Sequence, residues 1–291
     1  LQLDGSGNGS ITTGDVHGGS GGSCGVGLSS VSPNTFTCAN LGVNNVTLTV
    51  DDGGGNTSSC TADVTVADTL NPTAICQNIT IQLDGAGNAS ITTSAINNGS
   101  NDNCSIASYS ILSSTTFNCG NVGANTATLR ATDGSGNNGD CTASVTVQDN
   151  VNPSAVCQNV TVYADGAGNA SITTGDVDNG SADACGIASF SLSQSAFTCA
   201  VGGGPTTLTV NDNNGNSANC TATVTVLDTL NPTATCQDIT VFLNGSGSIE
   251  IEPSDIDGGS SDPCSAVTLS SNDTLYGCAD LGGNIALLTV T

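Results

Sequence analysis

The sequence predicts an all-β protein, a tandem array of Ig-like β-sandwich repeats of about 80 residues, each stabilised by disulfide bonds. Three observations predict this fold class. A motif recurs with that period, short alternating strands are separated by Gly, Asn and Asp turns, and the cysteines fall in register with the motif. The 291 residues therefore hold two complete repeats and two incomplete ones.

The recurring motif is a joint that contains an Asn-Pro turn signal. It occurs as Asp68–Cys76, Asp149–Cys157 and Asp228–Cys236, and its prolines lie 81 and 79 residues apart. The residue before a proline is pushed towards extended geometry, which suits a connection between domains. We therefore expect repeats over residues 1–67, 68–148, 149–227 and 228–291.

Both ends of the chain align with the interior of a repeat. Leu1 aligns with Ile81, and Thr291 aligns with Thr132. We therefore expect the chain to be part of a longer array, with its first and last repeats incomplete.

The complete repeat over residues 68–148 shows the strand pattern. Alternation with period two predicts strands at residues 79–83, 89–92, 107–112, 115–119, 126–131 and 141–147. Asp84–Asn88 is Gly-rich and is expected to join the first two strands as a hairpin. It looks superficially like the start of an EF-hand loop, but the later Glu and the flanking helices are missing. In the last strand Ala143, Val145 and Val147 should face one way, and the Thr and Ser residues the other.

The charge of the chain excludes several classes of partner. It has 25 Asp and Glu residues, and Arg130 is the single basic Lys or Arg, which gives a net charge of −24. Nucleic acid is excluded as a partner because phosphate binding needs Lys and Arg. No apolar run approaches the roughly 18–20 residues of a membrane-spanning helix. The acids either form a solvated surface or are partly neutralised by divalent cations, and both interpretations are compatible.

The fourteen cysteines predict disulfides in an oxidising, extracellular compartment. Each complete repeat carries four cysteines, which allow three pairings. We favour the first with the fourth, because their strands should be neighbours, and the second with the third, because they flank a short segment. Cys60 and Cys236 then lack a partner within the chain. The predicted bridges are Cys24–Cys38, Cys76–Cys141, Cys104–Cys119, Cys157–Cys220, Cys185–Cys199 and Cys264–Cys278.

Calcium binding is predicted first in the polar loop before the second cysteine of each repeat. Calcium takes six to eight oxygens from carboxylates, Asn and backbone carbonyls. The first repeat offers only Asp15 there, and the second offers Asn97 and Asp102. We therefore expect the strongest loop sites in the third and fourth repeats, which offer Asp176, Asp178 and Asp183, and Asp255, Asp257 and Asp262.

The second predicted calcium location is the joint itself. In a head-to-tail array, the loops at one end of a domain meet the linker of its neighbour. The alternative is that these acids only cap turns, since Asp and Asn favour turns. The candidate ligands are Asp68, Asp149 and Asp228 at the ends of the closing strands, and the recurring turn acids Asp52, Asp133 and Asp212.

Catalysis is poorly supported by the sequence. A nucleophile needs an activating base, and the single histidine, His17, aligns with Asn97, Asp178 and Asp257 at a variable loop position. The chain contains no Lys. We therefore expect a protein that is not an enzyme.

The order of these motifs resembles hyalin-repeat modules. The matching parts are the Asp-x-x-x-Pro-Thr joint, the loop Asp102–Cys104, the turn Thr132–Asn137 and the closing strand from Cys141. They resemble more closely the tandem Ig-like repeats of large secreted surface proteins of Bacteroidetes bacteria. The resemblance implies an Ig-like fold and a role in extracellular adhesion or as a stalk. It also implies O-glycosylation at Asp-Thr-aliphatic sites, of which the chain has Thr69, Thr229 and Thr274.

We therefore predict a calcium-stiffened stalk or filament segment of a large extracellular, cell-surface adhesin. Its partners would be neighbouring repeats and other copies in a filament. One alternative is a glycan- or surface-binding array, which should show an exposed aromatic platform once per repeat, whereas Tyr109, Tyr163 and Tyr276 do not align. The other alternative is the non-catalytic tail of a secreted enzyme, which the sequence leaves open.

Overall fold

The computed structural model describes residues 1–23 and 25–291, which are nearly all β-structure and turns. The chain forms two compact units, Leu1–Asn150 and Val151–Thr291. Each unit contains two of the expected repeats. None of the helices in the described ranges has the length and apolar character needed to cross a membrane.

The described residues of the first unit form eleven strands and two one-turn helices, α1 (Thr13–Val16) and α2 (Thr93–Ile96). Short 3-10 turns follow two of the strands, at Cys38–Asn40 and Cys119–Asn121. The strands are β1 (Asn8–Ser10), β2 (Gly27–Ser32), β3 (Thr35–Thr37), β4 (Gly42–Asp51), β5 (Thr57–Val66), β6 (Ile79–Gln82), β7 (Asn88–Ser90), β8 (Ile106–Ile111), β9 (Thr116–Asn118), β10 (Gly123–Asp133) and β11 (Asn138–Gln148).

The second unit contains ten strands and the one-turn helix α3 (Thr174–Val177). Its 3-10 turns lie at Cys199–Val201, Pro253–Asp255 and Cys278–Asp280. The strands are β12 (Val160–Tyr163), β13 (Asn169–Ser171), β14 (Ile187–Leu192), β15 (Ala196–Thr198), β16 (Gly203–Asp212), β17 (Ser217–Leu227), β18 (Ser248–Glu250), β19 (Leu269–Ser271), β20 (Leu275–Gly277) and β21 (Leu288–Val290).

Both complete repeats are sandwiches of a four-stranded and a two-stranded sheet. The larger sheets have the strand orders β6-β11-β10-β8 and β12-β17-β16-β14, and the smaller ones are β7-β9 and β13-β15. The first repeat has the sheets β2-β4-β5 and β1-β3, and the fourth has β18-β20 and β19-β21. The tandem Ig-like β-sandwich fold predicted from the strand pattern is therefore confirmed.

The predicted hairpin between the first two strands of a repeat is wrong. β6 pairs in parallel with β11, and β7 pairs with β9 in the other sheet. The Gly-rich turn at Asp84–Asn88 therefore carries the chain from one sheet to the other. β6 thereby covers the edge of the closing strand β11.

The core lies between the two sheets and follows the alternation of the closing strands. Ala143, Val145 and Val147, which the alternation places on one face, are fully buried. Phe117 on β9 is buried in the same repeat. In the third repeat Ala222, Val224 and Val226 pack with Phe197 in the equivalent way.

The disulfides within repeats agree with the first-with-fourth pairing. Cys76 is bonded to Cys141, and Cys157 to Cys220. Each bond ties the segment before the opening strand to the closing strand, and these two strands are neighbours. Among the described cysteines, Cys60, Cys236 and Cys278 form no disulfide.

The second-with-third pairing is wrong, because these cysteines link consecutive repeats. Cys38 of the first repeat is bonded to Cys104 of the second, and Cys199 of the third to Cys264 of the fourth. The reason is that Cys104 packs against the core of the first repeat, and Cys264 against that of the third. Cys119 and Cys185 are also disulfide-bonded. The contradicted predictions are Cys24–Cys38, whose Cys24 lies outside the described residues, and Cys104–Cys119, Cys185–Cys199 and Cys264–Cys278.

Candidate metal centre

The joint between the first two repeats carries a buried carboxylate. Asp68 follows β5 and is only 5% exposed. Its Oδ1 accepts a hydrogen bond from the Leu70 amide at 3.2 Å. Its Oδ2 is shielded from solvent and has no hydrogen-bond partner among the described residues. Burying a charged oxygen without a partner is costly, so this atom is a candidate ligand for a cation.

A second buried carboxylate comes from the turn between β10 and β11. Asp133 ends β10 and is 3% exposed. Its Oδ1 accepts hydrogen bonds from the amides of Ser135 and Asn137, at 2.9 and 2.8 Å. The Asn137 side-chain amide donates to Asp133 Oδ2 at 2.8 Å and to the Asp68 carbonyl at 3.1 Å. The turn of the second repeat is thereby tied to the joint.

The third contribution is the loop Asp102–Cys104. The Cys104 amide donates to Asp102 Oδ2 at 2.9 Å, whereas Asp102 Oδ1 is buried without a partner among the described atoms. The Asn103 side-chain amide donates to Asp68 Oδ1 and to the carbonyl of Asp4 in the first repeat, both at 3.2 Å. Its Oδ1 is also buried and unsatisfied within the described chain.

These three elements converge on what we name the joint site, namely Asp68, Asp102, Asn103 and Asp133. One carboxylate oxygen from each aspartate lies within 4.8 Å of the other two. Oxygens on opposite sides of a calcium ion lie about 4.6–5.2 Å apart, twice its oxygen distance of roughly 2.3–2.6 Å. The three aspartates, with the Asn103 oxygen beside them, therefore fit a hard divalent cation.

No side-chain cation can neutralise the joint site. Arg130 is held by Asp140 in a bidentate ion pair, with both N–O distances at 2.8 Å. This Arg130–Asp140 pair is the only salt bridge in the described part of the chain. Oxygen donors without a thiolate or imidazole favour calcium or magnesium over zinc. The three close carboxylates therefore repel one another without a Lys or Arg side chain to offset the repulsion.

The equivalent residues of the second unit form a poorer group. Asp228 and Asp262 offer oxygens within 4.8 Å of each other and of Cys264 Sγ. Cys264 is bonded to Cys199, so its sulfur is not a thiolate ligand. Pro263 replaces Asn103, and Asp228 is exposed. The described residues of this joint therefore lack the side-chain amide that Asn103 supplies to the joint site.

The remaining predicted ligands at joints and turns resemble Asp68, Asp102 and Asp133 in burial or in the backbone amides that they accept hydrogen bonds from. Asp149 is 6% exposed and Asp212 is 3% exposed. Asp212 Oδ1 accepts hydrogen bonds from the Asn214 and Asn216 amides, both at 2.8 Å. The Cys185 amide donates to Asp183 at 2.7 Å. The Asp52 turn of the first repeat has the same hydrogen bonds, to the Gly54 and Asn56 amides, and is exposed.

The other acids of the predicted loop sites cap local turns. Asp176 accepts hydrogen bonds from the Thr173 amide and hydroxyl, both at 2.7 Å. Hydrogen bonds from the hydroxyl and then the amide of Thr173 hold the pKa of Asp176 below its ordinary value. In the first repeat Asp15 makes the same contacts with Thr12.

The aspartates two positions after Asp176 and Asp255 also accept hydrogen bonds from nearby residues. Asp178 and Asp257 accept hydrogen bonds from the Ser181 and Ser260 amides, at 3.0 and 2.9 Å. Hydrogen bonding by the serine hydroxyl is the main cause that lowers the pKa of each aspartate. Asp255 accepts from the Glu252 amide at 2.8 Å.

The predicted ranking of the loop sites therefore stays a prediction. Asp176, Asp178, Asp255 and Asp257 join no group of three metal-binding side chains among the described residues. The second repeat, which was ranked below the third and fourth, supplies two aspartates and an asparagine to the joint site. Sequence reasoning separated loop and joint into two locations, but Asp102 and Asp68 belong to one.

Asn103 and the bridge between repeats were missed by the sequence reasoning. A signal for the bridge was present, because an acid precedes the second cysteine by two positions in three repeats, as in Asp102–Cys104. That spacing places a carboxylate and a sulfur on the same short loop. No signal distinguished Asn103 from the other asparagines of an Asn-rich chain.

Comparisons with known proteins give similarity only at the level of solved structures. Neither a protein-family model nor a curated protein sequence matches the chain. Extracellular cadherin domains 1–4 of protocadherin gamma B7 align over 94% of this chain and 90% of that one, with 12% identity and a TM-score of 0.34. Titin domains I67–I69, in an E-to-A mutated variant, align over 71% and 83%, with 11% identity and a TM-score of 0.31. Scores this low carry no conclusion about function.

Proposed function

We propose that the chain is a structural segment of an extracellular stalk or filament, within a large cell-surface adhesin, and that calcium bound at the joint site fixes one repeat to the next. The observation that carries the proposal is the unpartnered Asp68 Oδ2, buried inside a group of three carboxylates. The disulfides support the extracellular assignment, because such bonds persist in oxidising compartments.

Calcium would hold the start of the linker after the first repeat against the loop and turn of the second repeat. Asp68 follows the closing strand of the first repeat, and Asp102 and Asp133 belong to the second. The Asn103 amide already reaches the Asp4 carbonyl of the first repeat. A cation that holds these groups together makes a short linker into a fixed joint. Calcium at a hundred times its dissociation constant would stabilise the joint by about 2.7 kcal/mol.

Replacement of the joint aspartate tests the proposal directly. In the Asp68→Asn variant, calcium titration calorimetry should show one site fewer, and most of the calcium-induced rise in melting temperature should be lost. Without calcium the variant should melt at the same temperature as the unchanged chain or higher, because one of three repelling charges is gone.

The matched control is Asp63→Asn, which removes an exposed carboxylate of β5 whose described partner is Asn45. It should leave both the calcium stoichiometry and the melting shift unchanged. A full calcium response in Asp68→Asn would refute the joint site. Small-angle scattering of the unchanged chain, in calcium and in chelator, then tests stiffening through the maximum dimension.

Glycosylation of the joints is a separate prediction for protein from its native host. Thr69 and Thr229 are exposed beside the joints, and the Thr69 hydroxyl donates to Gln2 Oε1 at 2.9 Å. Intact-mass and peptide analysis should find glycan on both residues, and on Thr274 if its half-buried position admits the transferase. The joint at Asn150 lacks the site and is the internal control. Bare peptide at Thr69 and Thr229 would contradict the prediction.

A surface-binding array is the second candidate, favoured by one observation. Tyr109 on β8 and Phe190 on β14 occupy the same register, opposite Ala131 and Val210, and each is 37% exposed. Leu28 on β2 holds that position in the first repeat. A half-exposed apolar side chain therefore recurs on the edge strand. Loss of glycan or cell-surface binding in a Tyr109→Ser/Phe190→Ser variant would support this candidate.

A further inference from the structure

The disulfide between the first two repeats lies directly against the joint site. Cys104 follows Asp102 and Asn103, and its amide donates to Asp102 Oδ2. Cys38 Sγ lies 3.4 Å from the Asn103 carbonyl oxygen and 3.7 Å from that of Gly7. Both sulfurs belong to side chains that pack against the core of the first repeat. The disulfide thus fastens the loop that carries two joint-site residues to the neighbouring domain.

The three chain segments that supply the joint site, which we call its limbs, differ in the contacts that fix them. Asp133 is fixed by three hydrogen bonds within its own turn, and Asp68 lies two residues after the end of β5. The Asp102–Asn103 limb has its contacts to the first repeat through the Asn103 amide and through the disulfide. It is therefore the limb whose position depends most on the bridge.

We propose that the Cys38–Cys104 disulfide is the positioning element of the joint site, so that cation affinity and the oxidation state of this bridge are thermodynamically linked. The inference rests on the cation site proposed above. A bound ion needs Asp102 and Asn103 at fixed distances from Asp68. The bridge supplies that order before the ion arrives, which reduces the conformational entropy lost on binding.

The second unit repeats the arrangement of the bridge. Cys264 also follows an aspartate by two positions, and the Cys264 amide donates to Asp262 Oδ1 at 2.7 Å. Its partner Cys199 belongs to the preceding repeat, and Cys264 packs against the core of that repeat. The coupling of bridge and acidic loop is therefore a feature of the repeat pattern.

Linkage makes the proposal quantitative. If the bridge raises calcium affinity by some factor, calcium must favour the oxidised bridge by the same factor at equilibrium. Residues that position metal ligands typically contribute about 10–100-fold to affinity. We therefore expect removal of the bridge to weaken calcium binding at this joint about tenfold or more.

The first measurement is calcium-dependent hydrogen exchange in the whole chain, followed in the peptide over residues 99–105. The calcium concentration at half-maximal protection gives the dissociation constant of this joint alone. It should rise about tenfold or more in Cys38→Ser/Cys104→Ser. The matched control is Cys199→Ser/Cys264→Ser, which removes the equivalent bridge of the other unit and should leave this constant unchanged.

The second measurement is a redox equilibrium of the unchanged chain with dithiothreitol. Two electrons and two protons pass to the bridge, which becomes two thiols, while the reductant closes to a cyclic disulfide. Alkylation and mass spectrometry give the fraction of reduced Cys38 and Cys104. Calcium should raise the ratio of reduced to oxidised dithiothreitol at which half of the Cys38–Cys104 bridge is reduced. The rise should equal the factor by which loss of the bridge weakens calcium binding, and Asp68→Asn should abolish it.

The outcomes separate the two proposals. An equal dissociation constant with and without the bridge, together with a redox midpoint that calcium does not move, overturns the linkage and leaves the cation site intact. The absence of any calcium response in the unchanged chain overturns the cation site, and the linkage with it. A matched shift in both measurements supports the linkage.

Discussion

Replacing Cys76 and Cys141 together by serine is expected to destabilise the second repeat more than any other change to its side chains. The bridge closes a 65-residue separation that spans most of the repeat. By the loop-entropy model such a bridge contributes about 4 kcal/mol. A small domain has a total free energy of unfolding of about 5–15 kcal/mol. Because this core contains few large side chains, most of the free energy of unfolding of the repeat would be lost.

Hydrogen exchange of peptides from β10 and β11 measures this effect. Protection there should fall by orders of magnitude in Cys76→Ser/Cys141→Ser, while β16 and β17 of the other unit keep theirs. Cys60→Ser/Cys236→Ser is the matched control, because both cysteines are exposed and form no disulfide. It should change stability by no more than about 0.5 kcal/mol. Unchanged protection of β10 and β11 would show that the core, and not the bridge, holds the repeat.

Gly7→Ala is expected to disrupt the contact between the first two repeats. Gly7 has φ +73°, which an L side chain rarely adopts. A Cβ there would lie 2.6 Å from both the Asn103 carbonyl oxygen and Cys38 Sγ. The backbone strain costs about 1 kcal/mol and the overpacking about 1–3 kcal/mol. Exchange protection over residues 99–105 should fall accordingly.

Gly5→Ala provides the control from the same turn. A Cβ at Gly5 would meet nothing within 4 Å, so the change should be nearly neutral. The same requirement recurs at Gly168, where φ is +78° and a Cβ would lie 3.0 Å from Cys199 Sγ. If Gly7→Ala and Gly5→Ala had equal effects, the turn would not be docked against the bridge as described.

The sequence allowed accurate prediction where the cause of structure is local. The alternation in the closing strand placed Ala143, Val145 and Val147 on one face, and that face is buried in the core. The pairing of Cys76 with Cys141 followed once their strands were assumed to be neighbours. Each of these inferences needs only the period of one strand or the order of strands within one repeat.

What the sequence did not allow was prediction across the joint. Asp102 and Asp68 are 34 residues apart in the chain, and their carboxylates meet because the second repeat places a loop against the end of the first. The short span between Cys104 and Cys119 suggested a local bridge, but Cys104 is held by the core of the preceding repeat instead. Periodicity within a repeat carries no information about how one repeat packs on the next.

The overlapping disulfides also decide what a protease can do to this chain. The ring closed by Cys38–Cys104 overlaps the ring closed by Cys76–Cys141. One hydrolysed peptide bond anywhere between residues 38 and 141 therefore leaves a single covalent molecule, including cleavage after Arg130, the one bond open to trypsin. The rings of Cys157–Cys220 and Cys199–Cys264 give the second unit the same protection. A nick at either of these joints cannot release the repeats beyond it until a second bond is cut or a disulfide is reduced.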